Sequence, residues 1–192
     1  MVMVQVPFAM AAVLTAAIAL GMPAAAGAQT SPAPEISVTD AAGVYHVTAS
    51  FTVPASPATV TAVLTDYERI PEFMPDVKTS QVLERTESGL VVEQEAAAKF
   101  MMFSKRIHLV LDVSEDRGTI SFRDRCGKSF AQYEGAWRLH DLNGSTRVVY
   151  ELAAKPAFEV PGFVLKRLLK RDAAVMIDRL TAEIAGRADA SK

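Results

Sequence analysis

Pro161-Gly162-Phe163-Val164-Leu165-Lys166-Arg167-Leu168-Leu169-Lys170-Arg171-Asp172 runs on through Met176, Leu180 and Ile184 with its apolar residues three and four positions apart. That interval puts side chains on one side of an α-helix. Pro161 suits a first helical position, where a missing N–H leaves no bond unmade. Lys166, Arg167, Lys170, Arg171 and Asp178 take the opposite side. The pattern predicts one amphipathic helix of roughly 25 residues, about 37 Å long. Almost everything between residue 43 and this helix reads as β-strand, so a sheet is the surface that covers the apolar stripe. Function is then to be sought between sheet and helix.

The chain has 192 residues, a net charge of −2 and half its residues hydrophobic. The length suits one domain, and the near-neutral balance carries no nucleic-acid signal. A single cysteine, Cys126, excludes an intrachain disulfide and a cysteine-based zinc site. Residues 1–28 hold no charged side chain. Their apolar run from Phe8 to Leu20 and the Ala26-Gly27-Ala28 site predict a cleavable export signal, with Gln29 as the new N-terminus and a periplasmic or secreted mature protein. An uncleaved anchor is the alternative. Residues 29–42, with Ser31-Pro32-Ala33-Pro34, read as a linker, and 43–187 as the binding domain.

Tyr45, Val47, Ala49, Phe51 and Val53 alternate with polar residues, the period of a half-buried strand. Ser56-Pro57 then signals a helix start, with Val60, Val63 and Leu64 on its inner side. A second brief helix is expected at Pro71. Strands return over Val77–Arg85, Leu90–Ala98, Ile107–Val113, Thr119–Arg125, Phe130–Leu139 and Thr146–Ala154. Asn143-Gly144, a strong hairpin signal, precedes the last of these. The expected fold is α+β: about seven strands in an antiparallel meander around a long C-terminal helix, with two short helices after the first strand.

Ala55-Ser56-Pro57-Ala58-Thr59-Val60, Val63-Leu64-Thr65-Asp66-Tyr67, Ile70-Pro71-Glu72-Phe73-Met74-Pro75, Gly135-Ala136-Trp137-Arg138-Leu139 and Gly144-Ser145-Thr146-Arg147-Val148 occur in that order. In this order and spacing they resemble the START-like helix-grip superfamily, which includes polyketide cyclases and coenzyme-Q-binding proteins. The resemblance covers roughly residues 43–187. It implies a hydrophobic cavity between a curved sheet and the long helix, and an apolar ligand such as a lipid, isoprenoid or quinone. Some members catalyse cyclisation or dehydration in that cavity, so an enzyme of that type is the alternative to a carrier. A third is an interaction module whose cavity has filled with side chains.

The residues expected to hold the ligand are Phe51, Phe73, Phe100, Met102, Phe122, Trp137, Phe163, Leu165, Leu168, Leu169, Asp172 and Met176; Phe130 and Phe158 are further large apolar groups. Four consecutive bulky residues, Phe100 to Phe103, cannot all face inward on one strand. Asp172 projects onto the apolar side of the helix, where an unpaired carboxylate is costly; it either meets a ligand oxygen or leans to the rim and pairs with an arginine. Phe163, Lys166, Arg167, Lys170 and Arg171 offer a transient membrane contact, against the plainer reading of a solvated helix face. His46, His108 and His140 show no metal-ligand spacing. Cys126 lies in a turn beside Arg125 and Lys128, with no base marked for it in sequence. No nucleophile elbow or phosphate loop occurs, so no catalytic residue, metal or cofactor is expected.

Overall fold

Two consecutive residues with left-handed backbone, Ala42 (φ 51°) and Gly43 (φ 79°), turn the chain between β1, Glu35–Ala41, and β2, Val44–Val53. Positive φ at both central positions matches the twist of a two-residue hairpin, and the strands pair antiparallel from Glu35↔Ser50 to Ala41↔Val44. The segment read as a linker over 29–42 is thus a strand from Glu35 on, and the sheet has eight strands rather than about seven. β1 is an edge strand in which only Ile36 and Val38 are half-buried. Its polar neighbours hid a genuine two-residue alternation. The computed structural model describes residues 32–87, 89–100 and 103–190, with the side chains of Lys99, Phe100 and Phe103 excepted. The predicted export signal over 1–28 lies outside them.

After β2, Ser56 caps α1, Pro57–Leu64, its hydroxyl oxygen accepting from the Thr59 N–H at 3.2 Å, with Pro57 in the first turn. A 3₁₀ turn over Tyr67–Arg69 runs directly into α2, Ile70–Phe73. Six strands follow: β3 Val77–Thr86, β4 Gly89–Phe100, β5 Phe103–Asp116, β6 Thr119–Asp124, β7 Phe130–Asp141 and β8 Thr146–Pro156. They form one open antiparallel sheet in the order β1-β2-β8-β7-β6-β5-β4-β3. The meander from β3 to β8 is the expected one. The pairing between non-consecutive strands is β2 with β8, which places the strands before and after the short helices at opposite ends of the sheet.

The long helix, α3, spans Gly162–Ala190, 29 residues, longer than the apolar pattern implied. Leu165, Ala173, Ile177, Leu180 and Ile184 are its buried residues. Its C-terminal half is the packed one. Ile177 and Ile184 join Val53, Val60, Val63, Val92 and Val148 among the largest side chains with almost no solvent contact, and α1 lies against this half of the molecule's core. In the N-terminal half Leu168, Leu169 and Met176 are only half-buried. All three line the space under the sheet, Leu169 and Met176 also packing against the edge of the core.

Candidate ligand-binding cavity

Residues paired across neighbouring antiparallel strands point to the same side of the sheet. Val47, Leu152, Gly135 and Phe122 therefore form one inward row, and Ala49, Tyr150, Trp137 and Ile120 the next. Tyr133 shares the inward face, opposite Ala154. These rows, α2 and the N-terminal half of α3 bound a cavity of about 790 Å³, within the ~300–1,000 Å³ range of small-molecule sites. Its floor is mostly apolar: Ile107, Leu109, Leu111 and Val113 of β5, Phe73 and Met74 near α2, and Leu165, Leu168, Leu169 and Met176 of α3. Exposed charged groups, Asp76, Lys105, Glu159, Arg171 and Arg179, mark where it meets solvent. Lys105 Nζ lies 5.0 Å from the centre of the Phe158 ring there, a cation–π arrangement.

Gly135 is where two parts of the wall come closest. A Cβ on it would lie 2.2 Å from the Glu151 carbonyl oxygen and 2.7 Å from Phe122 Cζ. The Phe122 ring lies over this glycine and continues an aromatic wall. Its centroid is 5.8 Å from Tyr133 and 6.4 Å from Tyr150; Phe130–Tyr133 is 4.9 Å and Trp137–Tyr150 is 4.3 Å. Within that wall the Tyr133 and Tyr150 hydroxyls come close enough to share a hydrogen bond. Burial pushes the Tyr133 phenol up to about 12 and that of Tyr150 well above its ordinary value. Tyr67, also at the cavity, gives its proton to Glu115 Oε1 at 2.7 Å, and burial followed by that bond raises its pKa.

Of the residues expected to hold a ligand, Phe73, Phe122, Trp137, Leu165, Leu168, Leu169, Asp172 and Met176 line the cavity. Phe51 does not: it is buried in the solid part of the core, paired across the sheet with Val148. Phe163 does not either, being 79% exposed on the first turn of α3. A helical projection counts both ends of the stripe alike, whereas only the turns beyond Phe163 lie over the sheet. Phe100 and Phe103 close the β4–β5 ladder as its last backbone pair, so the two phenylalanines belong to the ends of two strands. The Phe100 side chain and Met102 lie outside the described residues.

Asp172 joins both of its expected positions. It lines the cavity, yet it is forked by its neighbour Arg171, whose Nε and terminal nitrogen approach Oδ1 at 3.0 and 2.8 Å. Desolvation raises its pKa, Arg171 opposes that, and Asp76 adds to it. The basic side of α3 is more engaged than a bare solvated face, since Lys166 pairs with Asp40 of β1. Tyr133 and Tyr150 were missed as individual positions. The signal was present: each alternates in step with Trp137 or Leu152 on its strand.

Two features lie apart from the cavity. A broader groove of about 1080 Å³ crosses the outer face of the sheet, with a lining about as polar as apolar and three of its ion pairs, Arg123–Glu134, Arg125–Asp112 and Arg138–Glu151, closed on themselves. Cys126, also on the outer side, has its Sγ 3.7 Å from His108 Nδ1, while His108 Nε2 meets Glu93 Oε1 at 3.0 Å. The neighbour of the cysteine that the sequence did not mark is therefore His108, 18 residues upstream, whose carbonyl oxygen the thiol also approaches at 3.8 Å. Among the described residues no group of three His, Cys, Asp or Glu side chains has the arrangement to hold a metal ion, and no described helix is long and apolar enough to cross a membrane.

An open antiparallel sheet closed by a long C-terminal helix and two short helices, with an apolar cavity between them, defines a helix-grip protein of the START type. The chain belongs to the family described as polyketide cyclase / dehydrase and lipid transport, whose model matches residues 53–181. Solved structures share the fold. A START superfamily protein from Mycobacterium smegmatis is 22% identical with a TM-score of 0.60, covering 77% of this chain and 99% of its own. The Zhui aromatase/cyclase from Streptomyces sp. R1128 is 18% identical at 0.62, covering 75% and 95%. A STAR-related lipid transfer protein from Xanthomonas axonopodis is 18% identical at 0.60, covering 78% and 98%. No curated protein sequence matches the chain.

Proposed function

We propose that this protein binds an apolar small molecule, a lipid, isoprenoid or quinone, and shields or carries it, acting outside the cytoplasm after cleavage of residues 1–28. The observation that carries the reading is the cavity of about 790 Å³ with its largely apolar lining. Covering roughly 300 Å² of ligand surface there contributes about 7 kcal/mol before association costs. Half-buried Leu168, Leu169 and Met176 support it, because the surface they leave uncovered lines this cavity. Native mass spectrometry of the purified protein tests it. The expected result is a co-purified apolar molecule released by organic extraction; a protein that carries none and takes up no apolar probe would contradict the reading.

A second reading, chemistry on an apolar substrate, draws support from Tyr133, Tyr150 and Asp172 and from the cyclase among the structural neighbours. Burial holds both phenols protonated, which suits hydrogen-bond donation better than proton abstraction. Asp172 is at the rim and already engaged by Arg171. Binding therefore stands first. Conversion of the extracted molecule on return to fresh protein, followed by mass, distinguishes the two.

A further inference from the structure

We propose that the Tyr133 hydroxyl is the polar anchor of the cavity, and that the molecule held there carries a carbonyl-type oxygen at its buried end. The inference rests on the binding reading above and narrows its ligand class. A ligand that is hydrocarbon throughout leaves a buried phenol proton without an acceptor, which is costly. Tyr133 is in that position. The Tyr133 and Tyr150 hydroxyls share at most one hydrogen bond between them, which leaves one phenol proton of the pair to be given, and Tyr133 is the less deeply buried of the two. The carboxylate whose charge it feels, Asp124, is already committed: Oδ1 accepts from the Val110 and Cys126 N–H groups at 2.9 and 3.2 Å, and Oδ2 from the Gly127 N–H at 3.0 Å. Apart from Tyr150, no described residue hydrogen-bonds to the Tyr133 hydroxyl.

The surroundings give the anchor its direction. Tyr133 stands on the inward face of β7, between the rings of Phe122 and Phe130, and both tyrosines line the cavity. The donor is thus set in an aromatic wall, away from the charged rim of Lys105, Arg171 and Asp172. An acceptor at the leading end of a flat, unsaturated ligand would meet Tyr133 while its rings stack on the wall. A hydrogen bond shared with Tyr150 makes the hydroxyl that is left to donate a better donor, since hydrogen bonds in a chain polarise one another.

Fluorene and 9-fluorenone, nearly the same shape with and without a carbonyl, test the anchor through displacement of anilinonaphthalene sulfonate. Tyr133→Phe keeps the ring and deletes only the hydroxyl. The expected result is a five- to tenfold loss of fluorenone affinity, the size of a lost neutral hydrogen bond, with fluorene affinity held within about twofold. Retained fluorene binding is also the control that the variant is folded. Tyr150→Phe should weaken fluorenone less. If the wild type binds both probes and Tyr133→Phe lowers neither or both alike, the anchor is wrong while the cavity stands. If the wild type binds neither probe nor the dye, the binding reading itself fails and the anchor with it.

Discussion

Gly135 shows how one residue sets the shape of a site. The Glu151 backbone and the Phe122 ring already occupy the space a Cβ needs. Gly135→Ala should therefore cost about 1–3 kcal/mol, the usual range for overpacking, and shift Phe122 off the wall. Thermal unfolding together with probe binding reads both effects; a variant as stable as the wild type would show that the β7–β8 backbone yields easily. Asp172 carries a pH signature instead. Its folded pKa lies above the unfolded value of 3.8. Its contribution to stability is then fully present below that value and is lost as pH rises through the folded pKa. The stability difference between wild type and Asp172→Asn should accordingly move in the variant's favour as pH rises from about 4, and a difference independent of pH would remove Asp172 from this role. Cys126 lies outside the cavity, so Cys126→Ser should leave probe affinity within about twofold; a larger change would tie the His108–Glu93 cluster to the site.

The long helix is two elements in one. Ile177 and Ile184 are each 1% exposed within the core cluster that also holds residues of α1 and β2, while Leu168 lines open volume. Opposite responses follow. Ile177→Ala leaves a cavity in a packed region and should cost about 2–5 kcal/mol, with little change in probe affinity for the protein that remains folded. Leu168→Trp sends an indole into empty space and should cost under about 1 kcal/mol, where a solid core would lose more, yet weaken apolar-probe binding by more than tenfold. Denaturant melts and probe titrations on the same two variants separate these outcomes. A strongly destabilised Leu168→Trp protein, with no probe binding in the wild type, would mean the space is filled. Lys166, pairing with Asp40, ties the open half of the helix to edge strand β1, the strand whose polar composition concealed it.

For the molecule as a whole, delivery of an apolar cargo calls for contact with the place it comes from. Phe163, Arg167 and Lys170 fall at i, i+4 and i+7, so they share one stripe of α3, and all three are exposed. Beside anionic lipid two such cations contribute about 2 kcal/mol, roughly 30-fold in affinity. Arg167→Gln with Lys170→Gln should weaken sedimentation with anionic phospholipid vesicles by about that factor at low salt, and Phe163→Asp should weaken it further. Equal binding by all three proteins would leave the stripe a solvated helix face.

Alternating residues such as Tyr45 to Val53 and the three- and four-residue spacing from Leu165 to Ile184 carried the strands, the long helix and their antiparallel arrangement, because burial on one side is a local, periodic demand on sequence. Eight of the twelve residues expected to meet a ligand follow from that same demand. Periodicity says that a side chain faces inward; it is silent on whether packed neighbours or open volume wait there. Phe51 and Trp137 look alike by pattern, yet one is in solid core and the other in the cavity wall. That difference arises because α1 packs into the core that holds Phe51, whereas α2 and the N-terminal half of α3 leave open volume beside Trp137. The meeting of Tyr133 with Tyr150, 17 positions apart, the approach of His108 to Cys126 and the fork of Arg171 on Asp172 are likewise products of strand register and helix rotation. Those depend on how the whole sheet closes on the helix, and no short stretch of the chain holds that information.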